Sequence, residues 1–507
     1  MITKISSAGL MGIKPFLVQV EAKAIRGVPR VIITGLGDQA VSESKHRIIT
    51  ALKNIEVKFK ACRVVVNLAP ANIRKKGSHF DLAITVAILS EFGYFSAPTS
   101  KTMFLGEIGL NGELRPVRGL LNMALLARQL KFNSLIVPLS QKKEVRLIDG
   151  IDIFAFSDLK KLLSWNKGNY HPAKVVFSKN LPQRNYARAK YWHFISQFPR
   201  IERILQIAGA GKHNLLLVGA NSFSMQKISR CLLDLFLPPT NQELLEINQI
   251  YSLFKNNTFH IKQRRPYRSI DTNITKTELV GSSRKFKPGE FSLAHKGILF
   301  VNNLDDFSLK KLNLFRQPLA EKRINLSLGD GLTTLFADFL SIACFKPCPC
   351  GNYGSQSRKC LCNPAARKKH LASIPLFLLK SFDLFIYLTD LQEKKTVDLF
   401  SKPDNNLKFD ENKKQIREAR TRQIARYKQK NCILNSGITQ ELLSDLIKIT
   451  SKAKAELARA QEEFKLPLYS CLSIIKVAQT IADLDQKDEI KQIHIREALQ
   501  YRWLTNT

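Results

Sequence analysis

The chain has 507 residues, 44% of them hydrophobic, with 79 lysines and arginines against 42 aspartates and glutamates, a formal net charge of +37. That length exceeds a single hydrophobic core and divides into about three domains of ordinary size, and the cationic excess favours polyanionic partners, nucleic acid first and an anionic membrane surface second. No stretch reaches the roughly 18 consecutive apolar residues of a membrane span, and Gly, Lys and Pro interrupt the N-terminal stretch before any apolar run is long enough for a signal peptide, so a soluble cytoplasmic protein is expected.

Residues 1–165 alternate two patterns. Strand-like runs occur at FLVQVEA, RVVVNLA and SLIVPL, and helical periodicity occurs at VSESKHRIITALKN and LLNMALLARQL, which predicts an α/β or α+β domain. Between 166 and 188 the pattern gives way to polar residues with Pro172 and Pro182, a predicted linker. A second α/β segment, 189–403, opens with a strand at Leu215 to Ala220, reaches another at Gly297 to Asn303, and includes a third ending near Leu388. Buried strands separated by helices predict a parallel sheet. From 404 to 507 the chain is helical in pattern, first a basic helix bearing Arg417, Arg420, Arg422 and Arg426, later one with Ile474, Val477, Ala478 and Ile481 on a broad apolar face.

Nine cysteines over this length do not make a disulfide framework. Cys348, Cys350, Cys360 and Cys362 crowd into one stretch, within a predicted insertion at 344–364, where Gly351 and Gly354 relax the backbone. Four thiolates on two short turns can close a tetrahedral structural zinc site. The alternative is four reduced thiols on a loop, because Cys-x-Cys is tighter than the usual Cys-x-x-Cys.

Several strings, in order and spanning nearly the whole chain, resemble the ComM/YifB family of magnesium-chelatase-like, competence-related AAA+ proteins. In the first domain they are VIITGLGDQAVSESKHRI, VVVNLAPANIRKKGSHFDLAI and FLGEIGLNGELRPVRGLL. In the second they are HNLLLVG, PGEFSLAHKGILF, FRQPL and KPCPCGNYG with CLCNP, and in the third IKVAQTIADL and IREALQYR. The resemblance implies a multidomain α/β protein. Its parts would be an N-terminal Lon-protease-like (ribosomal S5 domain 2-like) domain, a central AAA+ P-loop-type parallel-sheet domain with a four-cysteine loop, and a C-terminal helical lid. It also implies ATP and magnesium as cofactors, a hexameric ring, and DNA branch migration during natural transformation.

This sequence departs from that pattern where the chemistry should lie. A P-loop, G-x-x-x-x-G-K-[ST], wraps phosphate in backbone N–H groups, adds a lysine charge and lends magnesium a hydroxyl. Here Gly219 survives, while Ser224, Met225 and Gln226 stand at the second glycine, the lysine and the hydroxyl. At the end of the next motif strand the expected carboxylates are the amides Asn302 and Asn303, poor ligands for a hard cation and unable to act as a general base. By the family pattern Lys346 takes the sensor asparagine's place, Ser381 that of an arginine offered to a neighbour's nucleotide, and Tyr469 that of the lid arginine. The Ser/Lys dyad that a Lon-like fold can carry is also missing, since its positions fall on His79, beside Ser78, and on Leu121.

The expectation is a non-hydrolysing DNA-binding scaffold, either a homo-hexamer or part of a mixed ring with an active family member. Arg284, Lys285, Phe286 and Lys287 are the favoured DNA contacts, and Lys262 to Arg268 and Arg367 to Lys369 are further basic stretches. The alternatives are a divergent ATP-dependent DNA translocase using Lys227 with Asp305 or Asp306, and a decaying, inactive family member.

Overall fold

A computed structural model describes residues 2–58, 62–96, 101–178, 191–219, 222–254, 261–282, 287–328, 331–355, 358–388, 406–427 and 434–502. The N-terminal part opens with a hairpin of β1 (Thr3–Met11) and β2 (Lys14–Arg26), which pair antiparallel from Thr3 opposite Ala22 to Met11 opposite Lys14. Gly12 takes the turn at φ +68°, and a Cβ there would collide with Thr333. The remaining strands are β3 (Arg30–Thr34), β4 (Cys62–Ala69), β5 (Thr102–Phe104), β6 (Ser134–Pro138) and β7 (Asp152–Phe156). They complete a mixed seven-stranded sheet in the order β3-β4-β2-β1-β5-β6-β7.

Helices cover this sheet. One apolar cluster joins it to α1 (Gln39–Asn54) and α2 (Asp81–Glu91), and a second joins it to α3 (Leu120–Gln129). Asp38 caps α1 by accepting from Val41 N at 3.0 Å, and its other oxygen accepts from Gly77 N at 3.2 Å. Residues 167–178, predicted as linker, run along β7: Val175 is buried and donates its N–H to Ile153 O at 2.8 Å. Apolar Val175 fixes that course, and residues 179–190 lie outside the described residues.

The second sheet has five parallel strands in the order β9-β10-β13-β8-β14. They are β8 (Leu215–Val218), β9 (Tyr267–Ile270), β10 (Ile298–Val301), β13 (Leu340–Phe345) and β14 (Leu384–Tyr387), with a hairpin, β11 (Arg323–Leu328) and β12 (Gly331–Phe336), between β10 and β13. β8, β10 and β13 are buried at every residue, as continuous apolar runs require in a sheet covered on both faces. From β8 the chain crosses to the far edge at β9, works back, and lands as β14 on the other side of β8. That reversal opens a crevice at the carboxyl ends of the strands, the usual ligand position in such sheets. Helices α4 (Pro199–Gly211), α5 (Ser222–Leu235) and α6 (Pro364–Ala372) belong to this central part.

The N-terminal and central parts touch through Ile13, which clusters with Ile250, Leu253, Leu293 and Leu335. Asn122 Nδ2 also donates to Gln249 O at 3.1 Å. Beyond residue 404, α7 (Asn406–Arg426), α8 (Ser451–Glu463), α9 (Leu468–Leu484) and α10 (Gln492–Gln500) are joined by a two-residue parallel strand pair, Lys448–Ile449 with Glu489–Ile490. These helices share one core with α4 and α5. Phe385 N, on β14, donates to Tyr501 O at 2.8 Å.

Candidate functional site

Gly219 follows β8 at the crevice and donates its N–H to Phe345 O at 2.9 Å. A Cβ at this position would stand 2.9 Å from both Leu388 O and Met225 Cε, so the close approach of a neighbouring strand end and of one side chain requires glycine. Residues 220 and 221 lie outside the described residues, and α5 begins at Ser222. Ser224 is buried. Met225 is 1% exposed, turned back beneath Gly219 into the core with Ile228, Leu232 and Leu388. Gln226 and Lys227 are half-buried further along the helix.

At the end of β10, Asn302 donates its N–H to Ile270 O at 3.0 Å and its Nδ2 to Asp271 Oδ1 at 2.9 Å. Its buried Oδ1 has no partner among the described residues. Asn303 adopts the left-handed conformation, φ 48°, which an amide side chain tolerates, and so turns the chain into Leu304–Asp306. The Asp305 side chain is 2% exposed, with Lys346 Nζ 3.7 Å and His370 Nε2 3.8 Å from its Oδ2. Lys346 N donates to Asp305 Oδ1 at 3.3 Å, and Lys346 Nζ donates to Asp306 Oδ2 at 3.2 Å. The lysine at the end of β13 thus holds the two nearest carboxylates, a pairing that sequence distance conceals.

Ser381 and Tyr469 lie elsewhere. Ser381 ends a short helix, Leu376–Lys380, ahead of β14, at the amino edge of the sheet opposite the crevice. Its Oγ donates to Leu378 O at 2.6 Å, and its carbonyl accepts from Asn214 Nδ2 at 2.9 Å. Tyr469 begins α9 with Lys380 Nζ 4.3 Å from its ring centroid. Nearby is a buried network that the sequence did not reveal: His213 Nδ1 lies 2.9 Å from Asp383 Oδ2 and its Nε2 lies 2.8 Å from Thr480 Oγ1. Ser473 Oγ donates to Asp383 Oδ1 at 2.6 Å. Burial pushes the Asp383 carboxyl up, but the His213 and Ser473 bonds hold it below the usual carboxylate range. Histidine at the head of HNLLLVG was the only available signal, because its partners lie far along the chain.

Cys348, Cys350, Cys360 and Cys362 come together with all four Sγ atoms within 4.8 Å of one another. Three of the separations are 3.3, 3.7 and 3.7 Å. A tetrahedron of thiolates about 2.3 Å from zinc has edges of about 3.8 Å, so these residues fit the metal that their spacing suggested. Cys348 is buried, Cys350 exposed, and Tyr353 N donates to Cys348 Sγ at 3.3 Å. The following helix, α6, is tied to the crevice by His370, whose Nε2 lies 2.9 Å from Lys346 O and whose ring stacks on Phe345.

In the N-terminal part Ser78 and His79 occupy a turn ahead of α2. Ser78 Oγ donates to Glu107, while His79 is buried against Phe80 with its imidazole pushed down to about 4 by desolvation. Leu121 is core. Of the favoured DNA contacts, Arg284, Lys285 and Phe286 lie outside the described residues, and Lys287 is exposed with its Nζ 5.2 Å from the Phe254 ring centroid. Several other basic candidates serve the fold. Arg265 pairs with Glu243 at 2.7 Å, Arg268 with Glu290, Arg420 is buried with two bonds to Gly209 O, and Arg426 pairs with Asp483.

Comparison with known proteins gives three family matches in chain order. They are "Subunit ChlI of Mg-chelatase" over residues 20–141, "Magnesium chelatase, subunit ChlI" over 193–396, and "Magnesium chelatase, subunit ChlI C-terminal" over 409–502. The chain is 30% identical to competence protein ComM of Haemophilus influenzae, covering 98% of this chain and 96% of that protein. It is 29% identical to YifB of Salmonella typhimurium, covering 97% and 95%. A shorter similarity, 31% over 114 residues, relates it to the DNA repair protein RadA of Campylobacter jejuni, covering 22% of this chain and 24% of RadA.

Proposed function

Since this chain belongs to the ComM/YifB family of magnesium-chelatase-like proteins, we propose that it is a DNA-associated AAA+ scaffold that does not hydrolyse ATP. The observation that carries this reading is Met225. Where a P-loop lysine would project towards phosphate, an apolar side chain is 1% exposed and fills the core beneath Gly219. Magnesium fares no better, because Asn302 offers amide atoms, one of them bonded to Asp271, and Lys346 places a cation beside Asp305 and Asp306. The residues present therefore do not fit Mg-ATP, and the carboxylates required by a relocated-ligand ATPase are already engaged.

The DNA part of the proposal draws on the net charge of +37 and on relatives named for competence and DNA repair. On this reading the chain works in recombination during transformation, either as a ring of its own copies or within a mixed ring. The four-cysteine loop holds zinc as a structural staple. Calorimetric titration with Mg-ATP, followed by phosphate release with and without DNA, tests the proposal. No heat and no phosphate are expected, and turnover abolished by Lys227→Ala would establish the divergent ATPase instead. A mobility-shift titration should show DNA binding that weakens with salt, and no shift even at low salt would remove the DNA part.

A further inference from the structure

From residue 339 to residue 382 the sequence contains no aspartate or glutamate. Within that span Arg358, Lys359, Lys368 and Lys369 are exposed, and the Arg367 guanidinium lies 4.4 Å from the ring centroid of half-exposed Tyr353. Among the described residues none of these five cations forms an ion pair, whereas Arg265, Arg268 and Arg426 are all paired with carboxylates. Like charges left unpaired so densely on one short module repel one another, and a polyanion relieves that repulsion. The module also presents apolar and aromatic groups. Leu361, between two of the cysteines, is 86% exposed, and Tyr353 and neighbouring Tyr387 are 46% and 51% exposed.

The surface is held in place. The four cysteines bring the two ends of the loop together with their Sγ atoms within 4.8 Å of one another, Asn363 caps α6 by accepting from Ala366 N at 2.7 Å, and His370 anchors the helix to Lys346 O. His370 faces inward while Lys368 and Lys369 face solvent, so the backbone that carries these cations is already placed before binding. We infer that the cysteine-held loop and α6 form a second DNA-binding surface, distinct from residues 284–287, that takes single-stranded DNA, with the cations on phosphates and Tyr353 stacked against an unpaired base. An anionic membrane is the weaker fit, because one exposed leucine supplies little insertion area.

The inference rests on the reading that the chain binds DNA, and the test separates the two. Fluorescence anisotropy of the full chain with labelled oligothymidylate and with a labelled duplex is measured across a salt series, with metal content determined for each sample. The wild type should bind the single strand. In a quadruple variant, Arg358→Glu, Lys359→Glu, Lys368→Glu and Lys369→Glu, affinity should fall about ten-fold or more and the salt slope by about two to four, with the metal retained. Tyr353→Ala should weaken single-strand binding about ten-fold and leave duplex binding unchanged. Wild-type binding with both variants unaffected overturns this surface and leaves the DNA reading intact, whereas no wild-type binding at low salt overturns that reading. Binding to phosphatidylglycerol vesicles that the quadruple variant loses, with no DNA binding by wild type, overturns the inference in favour of a membrane.

Discussion

Replacing Met225 with lysine restores the P-loop residue type and tests whether the crevice is an engine site lacking one part or a filled core. Met225 is 1% exposed among Ile228, Leu232 and Leu388. Burial of a methionine side chain is worth about 1.5–3 kcal/mol, and a lysine there must neutralise or drag its ammonium group out past Gly219, so a loss of about 3 kcal/mol or more is expected. Met225→Ala, a pure cavity change, should cost about 2–5 kcal/mol. Urea unfolding followed by circular dichroism gives the stability, and calorimetry gives the affinity for Mg-ATP. The expected result for Met225→Lys is a lowered midpoint and no nucleotide binding, because Asn302 and the Lys346 pairs remain. Undiminished stability together with micromolar Mg-ATP binding would refute the reasoning.

Three further outcomes follow from particular groups. Purified protein should carry one zinc per chain by mass spectrometry, lost in Cys348→Ser and Cys360→Ser, and metal-free wild type would contradict the assignment of the four cysteines to a metal. His213→Ala removes a ring that bonds both Asp383 and Thr480, so it should cost about 2–4 kcal/mol and speed proteolysis within the C-terminal helices. An unchanged digestion pattern would show that the network does not hold them. Glu144 is buried and accepts from Leu121 N and Gln141 Nε2, yet desolvation pushes its carboxyl up to about 7. A folded-state value above the unfolded one means that its contribution is fully present below about pH 4.5 and is lost as pH rises through about 7. The stability difference between Glu144→Gln and wild type should therefore shift in the variant's favour across that window, and a difference independent of pH would contradict it.

The parts of this fold that were legible from sequence were those where burial writes itself into a continuous run. LLLV and ILFV announced β8 and β10, and the paired Cys-x-Cys strings suggested a shared metal site whose four Sγ atoms do converge. β9, YRSI, was not legible because it is an edge strand with polar residues. LSIACF is hard to read as a strand because serine, alanine and cysteine dilute its apolar signal although every residue is buried. The β11–β12 hairpin carries a signal in the sequence, alternation in RINLSL followed by Gly-Asp-Gly. The family resemblance implies which residue types differ around Gly219, but not what the replacements do. That Met225 packs inward, and that Lys346 ties up Asp305 and Asp306, depends on contacts between residues far apart in sequence. Charge was the least readable quantity, since Arg420 and Arg426 resemble a solvated basic face in sequence and are spent on Gly209 O and Asp483 in the fold.

The most direct test of a scaffold without an engine is phosphate release measured on a sample whose DNA binding has been established in the same buffer. Saturating DNA and millimolar Mg-ATP should yield release no faster than buffer alone. DNA-stimulated release that disappears in Lys227→Ala or Asp305→Asn would contradict the claim.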